Sequence, residues 1–411
     1  MESFNLDGMP AVAFGSGVFE EAGELIKNCG AAGCKALIVT GANYLKRTGN
    51  IERLAGMLAS FGIMSETYSK ISPNPRADEV NEAARIINET GCDFVIGFGG
   101  GSAMDAAKAA AALAISGGEI WDYIRRWDDC ETAEVKGALP VITIPTRYGS
   151  GAEISIFSVI SNSETKEKAV LTTPLIMPAL AIVDPEFCLD LPLEQAGYAV
   201  TDIMAHLIET YISGGDTSPV ADSLTETLAC DLIKNAFKII RGEASVNEHE
   251  NIFYISLLAL TGITHVGRGG DFPLHDLEHP LSAYFGVPHG LGLGALFPHL
   301  MQFSFEHASD RYEKLYLNIF KRLSGEGLRL IDAYKEETGC VERAANAVDC
   351  FTELFTKLGS FKKLSSYGLT EETIDKLASD VIRLYGHGQL HIPNARKLRY
   401  SDIIEIYRKV V

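Results

Sequence analysis

Ten histidines are spread over 411 residues, and four of them fall between 265 and 289. Asp202 and His206 stand four apart in Ala199 to Ile212, a stretch of helical apolar spacing, so both share one helix face. His275 and His279 repeat that spacing, and His289 follows in Val287-Pro288-His289-Gly290. One carboxylate with three neutral imidazoles suits a divalent first-row ion, Zn2+ or Fe2+. A lone histidine is more often a hydrogen-bonded structural residue, but this much imidazole in an acidic, apolar helical region requires compensation. Spacing does not choose the ligating three; an i, i+4 argument selects His275 with His279. It also raises a metallohydrolase reading, because His275-Asp276-Leu277-Glu278-His279 superficially resembles HExxH. Against it, Asp276 is a shorter acid than that motif needs, and Glu278 is expected to point elsewhere on the helix.

A second kind of chemistry is suggested upstream. The run Phe94 to Phe98 is followed by Gly99-Gly100-Gly101-Ser102 and an Ala-rich stretch carrying Asp105 and Lys108. Consecutive glycines let backbone approach a ligand without Cβ obstruction. The helix behind them presents unpaired N–H groups and partial positive charge, which together make a pyrophosphate cradle. Such glycines can also serve packing alone; position at the carboxyl end of a parallel strand favours the ligand. The hydroxyl-rich segment Thr143 to Gly151 follows another strand, where Thr143, Thr146 and Ser150 could close over the same ligand. A hydrolase leaves this turn unexplained.

The elements that must position these groups change character along the chain. Lys35–Thr40, Met64–Tyr68, Phe94–Phe98 and Val141–Ile144 read as strands. Ile51–Phe61, Asp78–Glu89 and Ala103–Ile115 read as the helices between them. This alternation predicts a parallel sheet covered on both faces. Ile154–Ile160 with Ala169–Thr172 reads as an antiparallel excursion. Beyond Asp190-Leu191-Pro192, the stretches Leu193–Ile212, Ala221–Ile240 and Asn251–His265 carry helical spacing and strand-like runs cease. The expected organisation is an α/β dinucleotide-binding domain over 1–190 and an all-α metal-binding domain over 191–411.

Composition excludes other classes. Acidic residues outnumber basic ones 54 to 36, a formal charge of −18, which argues against nucleic acid or an anionic membrane as partner. No basic-then-apolar leader opens the chain, and the Ala-rich stretch Asp105–Ser116 is too short and too polar to span a bilayer. The eight cysteines form no CxxC pair and read as free thiols of a cytoplasmic protein.

Together these segments resemble the iron-containing (group III) alcohol dehydrogenase family, within a wider group that also holds glycerol dehydrogenases and dehydroquinate synthases. The resemblance rests on Ser72-Pro73-Asn74-Pro75, the GGGSxxDxAK run Gly99 to Lys108, Pro145-Thr146 to Gly151, and Ala181 to Pro185. It continues with DxxxH at Asp202 to His206 and HxxxHPLxAxxxxPHG at His275 to Gly290, all in family order over residues 70–300. It is closer to the butanol dehydrogenase-like, broad aldehyde reductase branch. The resemblance implies a dehydroquinate synthase-like fold with an active site in the cleft between the domains, Fe2+ as the metal ahead of Zn2+, and a homodimer. It places the metal ligands on Asp202, His206, His275 and His289. His279 falls beside the metal as proton carrier or orienting residue. Cofactor contacts fall on Gly99 to Ser102, Asp105 and Lys168, and a small alcohol or aldehyde is the implied substrate. The alternatives are an NAD-using polyol oxidoreductase of glycerol dehydrogenase type and the metallohydrolase.

Cofactor choice is read at the end of the strand Lys35–Thr40. In doubly wound folds an acid there bonds the adenosine ribose and repels a 2′-phosphate. Here Gly41 follows, with Asn43 as a hydrogen-bond donor and Lys46 or Arg47 as positive charge. NADP(H) is therefore expected over NAD(H).

Overall fold

Six short apolar runs pair side by side into one parallel sheet. They are β1 (Ala11–Phe14), β2 (Lys35–Gly41), β3 (Met64–Ile71), β4 (Phe94–Gly99), β5 (Val141–Pro145) and β8 (Leu180–Val183), in the order β1-β8-β5-β4-β2-β3. A separate antiparallel ribbon is made by β6 (Phe157–Asn162) and β7 (Glu167–Thr172). The computed structural model describes residues 8–42, 44–124, 132–215, 217–326, 328, 330–335 and 339–411. These fall into two compact units, Gly8–Asp190 and Leu191–Val411. Asn43 lies outside the described residues.

Central strands buried on both faces must be apolar throughout, and β2 shows the division. Leu37 and Val39 pack with α4 (Ala77–Thr90) and α5 (Gly101–Ser116), whereas Ala36 and Ile38 pack with α1 (Ala22–Asn28) and α3 (Asn50–Ser60). Between β2 and α3 lies one short helical turn, α2 (Tyr44–Arg47). The chain thus leaves β2 toward one face and leaves its neighbour β4 toward the other. That divergence opens a crevice at the carboxyl ends of the two strands, where α/β sheets bind ligands. Gly41 and Gly99 stand on its two sides.

The Ala-rich character of α5 has a packing cause. A Cβ at Gly97 would stand 2.9 Å from Met104 Cα, and Ala106 to Ala112 are buried to 1% or less. Lys108 is fully buried in this helix; its ammonium pairs with Asp105 at 3.3 Å and donates to the carbonyls of Ala152 (2.9 Å) and Phe157. Because Lys108 claims those carbonyls, residues 151–156 form turns, and the strand expected from Ile154 begins only at Phe157. The edge strand β1 and its neighbour β8 were not expected from the pattern, being only four residues long.

The second unit is built from α6 (Leu193–Ser213), α7 (Pro219–Ile240), α8 (Val246–Leu260), α9 (Pro273–Phe285), α10 (His289–Ser304), α11 (Ser309–Leu315) and further helices to the terminus. It is not wholly helical, because His391–Ile392 and Leu398–Arg399 pair as a two-residue ladder. The helix expected over 251–265 starts earlier, where Ser245 and Glu248 form a capping box. It ends at Leu260, ahead of Gly262 in the left-handed region (φ +82°). No described helix is long and apolar enough to cross a membrane, and no described cysteine is in a disulfide.

Gly97→Val should force α5 off the sheet at Met104. The expected cost is about 1–3 kcal/mol for overpacking, read as a lowered midpoint in urea unfolding. An unchanged midpoint would show that helix and sheet do not meet as closely as described.

Candidate functional site

The helical unit gathers the Asp and His residues through two helices and one corner. Asp202, His206 and Glu209 recur on one face of α6; His275, Glu278 and His279 lie on α9; His289 opens α10 behind Pro288. Donor atoms of Asp202, His275 and His289 lie within 4.8 Å of one another. From Asp202 Oδ1, His275 Nε2 is 3.6 Å away and His289 Nε2 is 3.8 Å. His206 Nδ1 is 3.3 Å from the same oxygen, and the His206 ring centroid is 4.5 Å from that of His275. Two ligands of a four-coordinate ion with bonds of about 2.1 Å stand roughly 3.4 Å apart. The three imidazole nitrogens at 3.3–3.8 Å from Asp202 Oδ1 come near that value, while His206 stands outside the 4.8 Å group formed by the other three residues.

Asp202 Oδ1, His206 Nδ1 and His275 Nε2 are buried and make no hydrogen bond. A buried polar atom left so costs about 1–3 kcal/mol, and an ion bound at all three would remove that cost. Electrostatics agree. Burial alone would raise the Asp202 carboxyl, yet the charges of His206, His275 and His289 hold it at about 2. Burial would lower His275, but Glu209 and Asp202 on either side of its ring push it up to about 10. Burial prevails at His206, lowering it to about 3. Anions on both edges of the ring thus favour positive charge at the cluster's centre.

Two carboxylates that the sequence reading missed fix the imidazoles. Glu209 Oε2 bonds His275 Nδ1, while its Oε1 accepts from the amides of Leu274 (2.6 Å) and His275 (3.3 Å). Glu278 was expected to point elsewhere; it is fully buried and bonds His289 Nδ1, with Ser282 Oγ on its other oxygen. Ser282 also donates to the carbonyl of Val287 (3.0 Å), tying α9 to the corner before His289. Gly292 makes room for this acid, since a Cβ there would stand 2.7 Å from Glu278 Cγ. Such partners orient a ligating histidine and raise its basicity. Glu209 continues the Asp202–His206 periodicity by one more turn, a signal that could have found it. Glu278 carried no comparable one. His279 is set apart, as its Nδ1 meets Tyr385 Oη at 3.0 Å and its ring stacks on His289 at 6.0 Å.

In the α/β unit, Gly99 has φ +151°, a conformation that L side chains rarely adopt. Gly100 stands before α5 with no side-chain cap on the helix, so the site fits an anion. Beneath the turn, the hydroxyl of Thr40 is buried without a partner, 3.9 Å from a Cβ position at Gly99. Thr40 was not singled out from sequence. Thr146 N donates to Gly99 O (2.9 Å), Ser150 Oγ lies 2.6 Å from a Cβ position at Gly101, and Ser102 Oγ accepts from Asn74 N (3.3 Å). Arg147, exposed, lies 2.8 Å from a Cβ position at Gly100.

Two of the expected cofactor residues, Thr143 and Asp105, face inward instead. Thr143 is fully buried and donates to the carbonyls of Glu153 (3.0 Å) and Leu180 (3.4 Å). Asp105 bonds Val159 N (3.2 Å) and pairs with Lys108, so it anchors α5 to β6. Lys168 is buried in β7; burial raises the Asp105 carboxyl, and the charges of Lys108 and Lys168 oppose that. Gly41 ends β2, and Lys46 is exposed on α2.

Family models cover both units: iron-containing alcohol dehydrogenase over residues 10–185, and the C-terminal model of the Fe-containing alcohol dehydrogenase family over residues 198–411. The chain belongs to the iron-containing alcohol dehydrogenase family. It is 30% identical over 408 residues to the probable NADH-dependent butanol dehydrogenase 2 of Bacillus subtilis, covering 99% of each chain. It is 25% identical to the NADPH-dependent aldehyde reductase YqhD of Escherichia coli, covering 95% of each. The solved structure of NADH-dependent butanol dehydrogenase A from Thermotoga maritima superposes with a TM-score of 0.89 at 28% identity, over 100% of this chain and 99% of that one.

Glu278→Gln and Glu209→Gln should each weaken metal affinity about 10- to 100-fold, measured by chelator competition on folded protein. Wild-type affinity in both variants would leave these acids no part in holding the site.

Proposed function

We propose that this chain is a metal-dependent alcohol dehydrogenase or aldehyde reductase, exchanging hydride between NADP(H) and a small primary alcohol or aldehyde. The observation that carries the reading is the buried set of unsatisfied donors on Asp202, His206 and His275, beside His289 and braced by Glu209 and Glu278. A divalent ion held there, iron before zinc, would polarise the substrate oxygen, while the nicotinamide cofactor would carry the hydride.

The protein's own residues supply placement and a proton path. Asp202, His206, His275 and His289 hold the ion, and Glu209 and Glu278 fix the rings that face it. His279 binds or releases a proton at its ring, with Nδ1 kept in line by Tyr385 Oη. Gly99 to Ser102 bind the cofactor's pyrophosphate, with the backbone of Thr146 and the hydroxyls of Thr40 and Ser150 around the turn. The names of the relatives support an alcohol or aldehyde substrate, four-carbon alcohols among them, and divide between NADH and NADPH. The end of β2 favours NADPH, because Gly41 carries no acid and Lys46 and Arg47 are exposed beyond it.

His206→Ala or His289→Ala should remove most bound metal and nearly all turnover, whereas His279→Ala keeps the metal and loses turnover. Metal analysis beside aldehyde reduction assays checks this, and full occupancy with full activity in the first two variants would overturn the assignment. A Cβ at Gly41 would stand 3.4 Å from Ile71 O, an ordinary contact, so Gly41→Asp should fold. A carboxylate about 4 Å from a 2′-phosphate costs on the order of 4 kcal/mol before salt screening. The substitution should therefore move the kcat/KM ratio toward NADH, and equal use of both cofactors before and after it would refute the NADPH preference.

A further inference from the structure

A buried ion cluster lies in the helical unit, outside the metal-facing residues. Asp222 on α7 receives Arg268 Nη1 at 2.6 Å, Arg311 Nη1 at 2.5 Å and Arg311 Nη2 at 2.8 Å. Arg268 is 1% exposed, and Asp222 and Arg311 are each 6% exposed. Arg268 Nη2 also donates to the carbonyl of Thr264 (2.5 Å) and to Thr210 Oγ1 (3.3 Å), and Arg311 Nε donates to the carbonyl of Tyr211 (2.8 Å). Both guanidinium groups lie over the Tyr211 ring, at 5.1 and 3.8 Å. Burying three charges is no general route to stability, and apolar replacements of such groups are often neutral or better. The placement of this cluster therefore needs a separate reason.

Asp222 lies on α7 and Arg311 on α11, but the other contacts of the two guanidinium groups fall on the end of α6, at Thr210 and Tyr211, or on the crossover 261–272 that leads into α9, at Thr264. The two are laced together further along. Gly215 N donates to Arg268 O (3.2 Å), Thr217 Oγ1 to Gly267 O (2.6 Å), and Asp271 N to Ser213 Oγ (2.8 Å). A Cβ at Gly214 would stand 2.8 Å from Gly269 O, and one at Gly270 would stand 2.7 Å from Thr210 O, so the two segments meet backbone to backbone. Glu209 precedes Thr210 directly, and its carboxylate reaches the amides of Leu274 and His275 as well as the His275 ring. The rotation of Glu209 and the entry point of α9 thus depend on how the crossover seats on α6.

We propose that Arg268, held by Asp222, is a positioning residue of the metal centre: it seats the crossover on α6 so that Glu209 orients His275. The inference rests on the metal reading above and extends it to residues that do not face the ion. Loss of the Arg268 guanidinium leaves Asp222 still paired through both nitrogens of Arg311, so Arg268→Met should fold.

The test titrates metal-free protein with Co2+ against a chromogenic chelator and records the visible d–d spectrum, which reports ligand geometry. Arg268→Met is compared with wild type and with Ile403→Ala, a core truncation in the helix Tyr400–Arg408 that lowers stability without touching the cluster. Arg268→Met should weaken Co2+ binding about tenfold and alter the spectrum, while Ile403→Ala changes neither. Thr210→Val, which removes only the hydroxyl that Arg268 reaches, should move affinity in the same direction, and it decides the matter should Arg268→Met fail to fold. Wild-type affinity and spectrum in the folded Arg268 variant, or an equal loss in Ile403→Ala, would overturn the proposal. Wild-type protein that binds no Co2+ would overturn the metal reading itself, a result distinct from either.

Discussion

A carboxylate in the middle of a buried helix needs a cation, and Asp202 has three imidazoles around one oxygen in place of a lysine or arginine. That constraint organises much of the helical unit. α9 must approach α6 closely enough for His275 to reach the same oxygen, and α10 must begin where His289 can. Each imidazole then needs its far nitrogen satisfied in the core, which Glu209 and Glu278 do for His275 and His289. The acids in turn require small neighbours, as Gly292 shows. Burial is tolerable at each step because the next group supplies the missing partner.

The α/β unit solves a different problem, presenting backbone rather than side chains. Its sheet is apolar on both faces, so polar function is confined to strand ends. Gly99 and Gly100 keep the carboxyl end of β4 free of side chains, and Gly97 lets α5 come near enough for its first turn to face the crevice. The buried ammonium of Lys108 acts behind that turn by tying the helix to Ala152 and to Phe157, the first residue of β6.

How much of this was legible follows from the range of each interaction. The parallel sheet could be read because strand–helix alternation is a local signal, whereas spacing alone left open which of His206, His275, His279 and His289 gather around Asp202. Asp105 and Thr143 were read as facing a cofactor because they stand beside the glycine turns in sequence. Their side chains turn to Val159 and Glu153, contacts made across 54 and 10 residues respectively. Glu278 was misjudged for a related reason. Helical geometry assigns it a face, but only the corner at Gly286–Pro288, folding α10 back, brings His289 onto that face. The short β1 carries too few residues for any alternation to show, and its pairing with β8 is a long-range event.

The Ser282 hydroxyl, placed between Glu278 and the Val287 carbonyl, has a mechanical consequence. Connections between helices are ordinarily the yielding parts of a fold, and enzymes draw their moving lids from them. This corner is cross-braced from the inside, with one hydroxyl bridging the helix before it and the backbone of the bend. His289 is therefore mounted on a stiff bracket and does not ride a hinge. Any traffic of small molecules past the cluster has to be accommodated by other segments, around an imidazole that stays where it is.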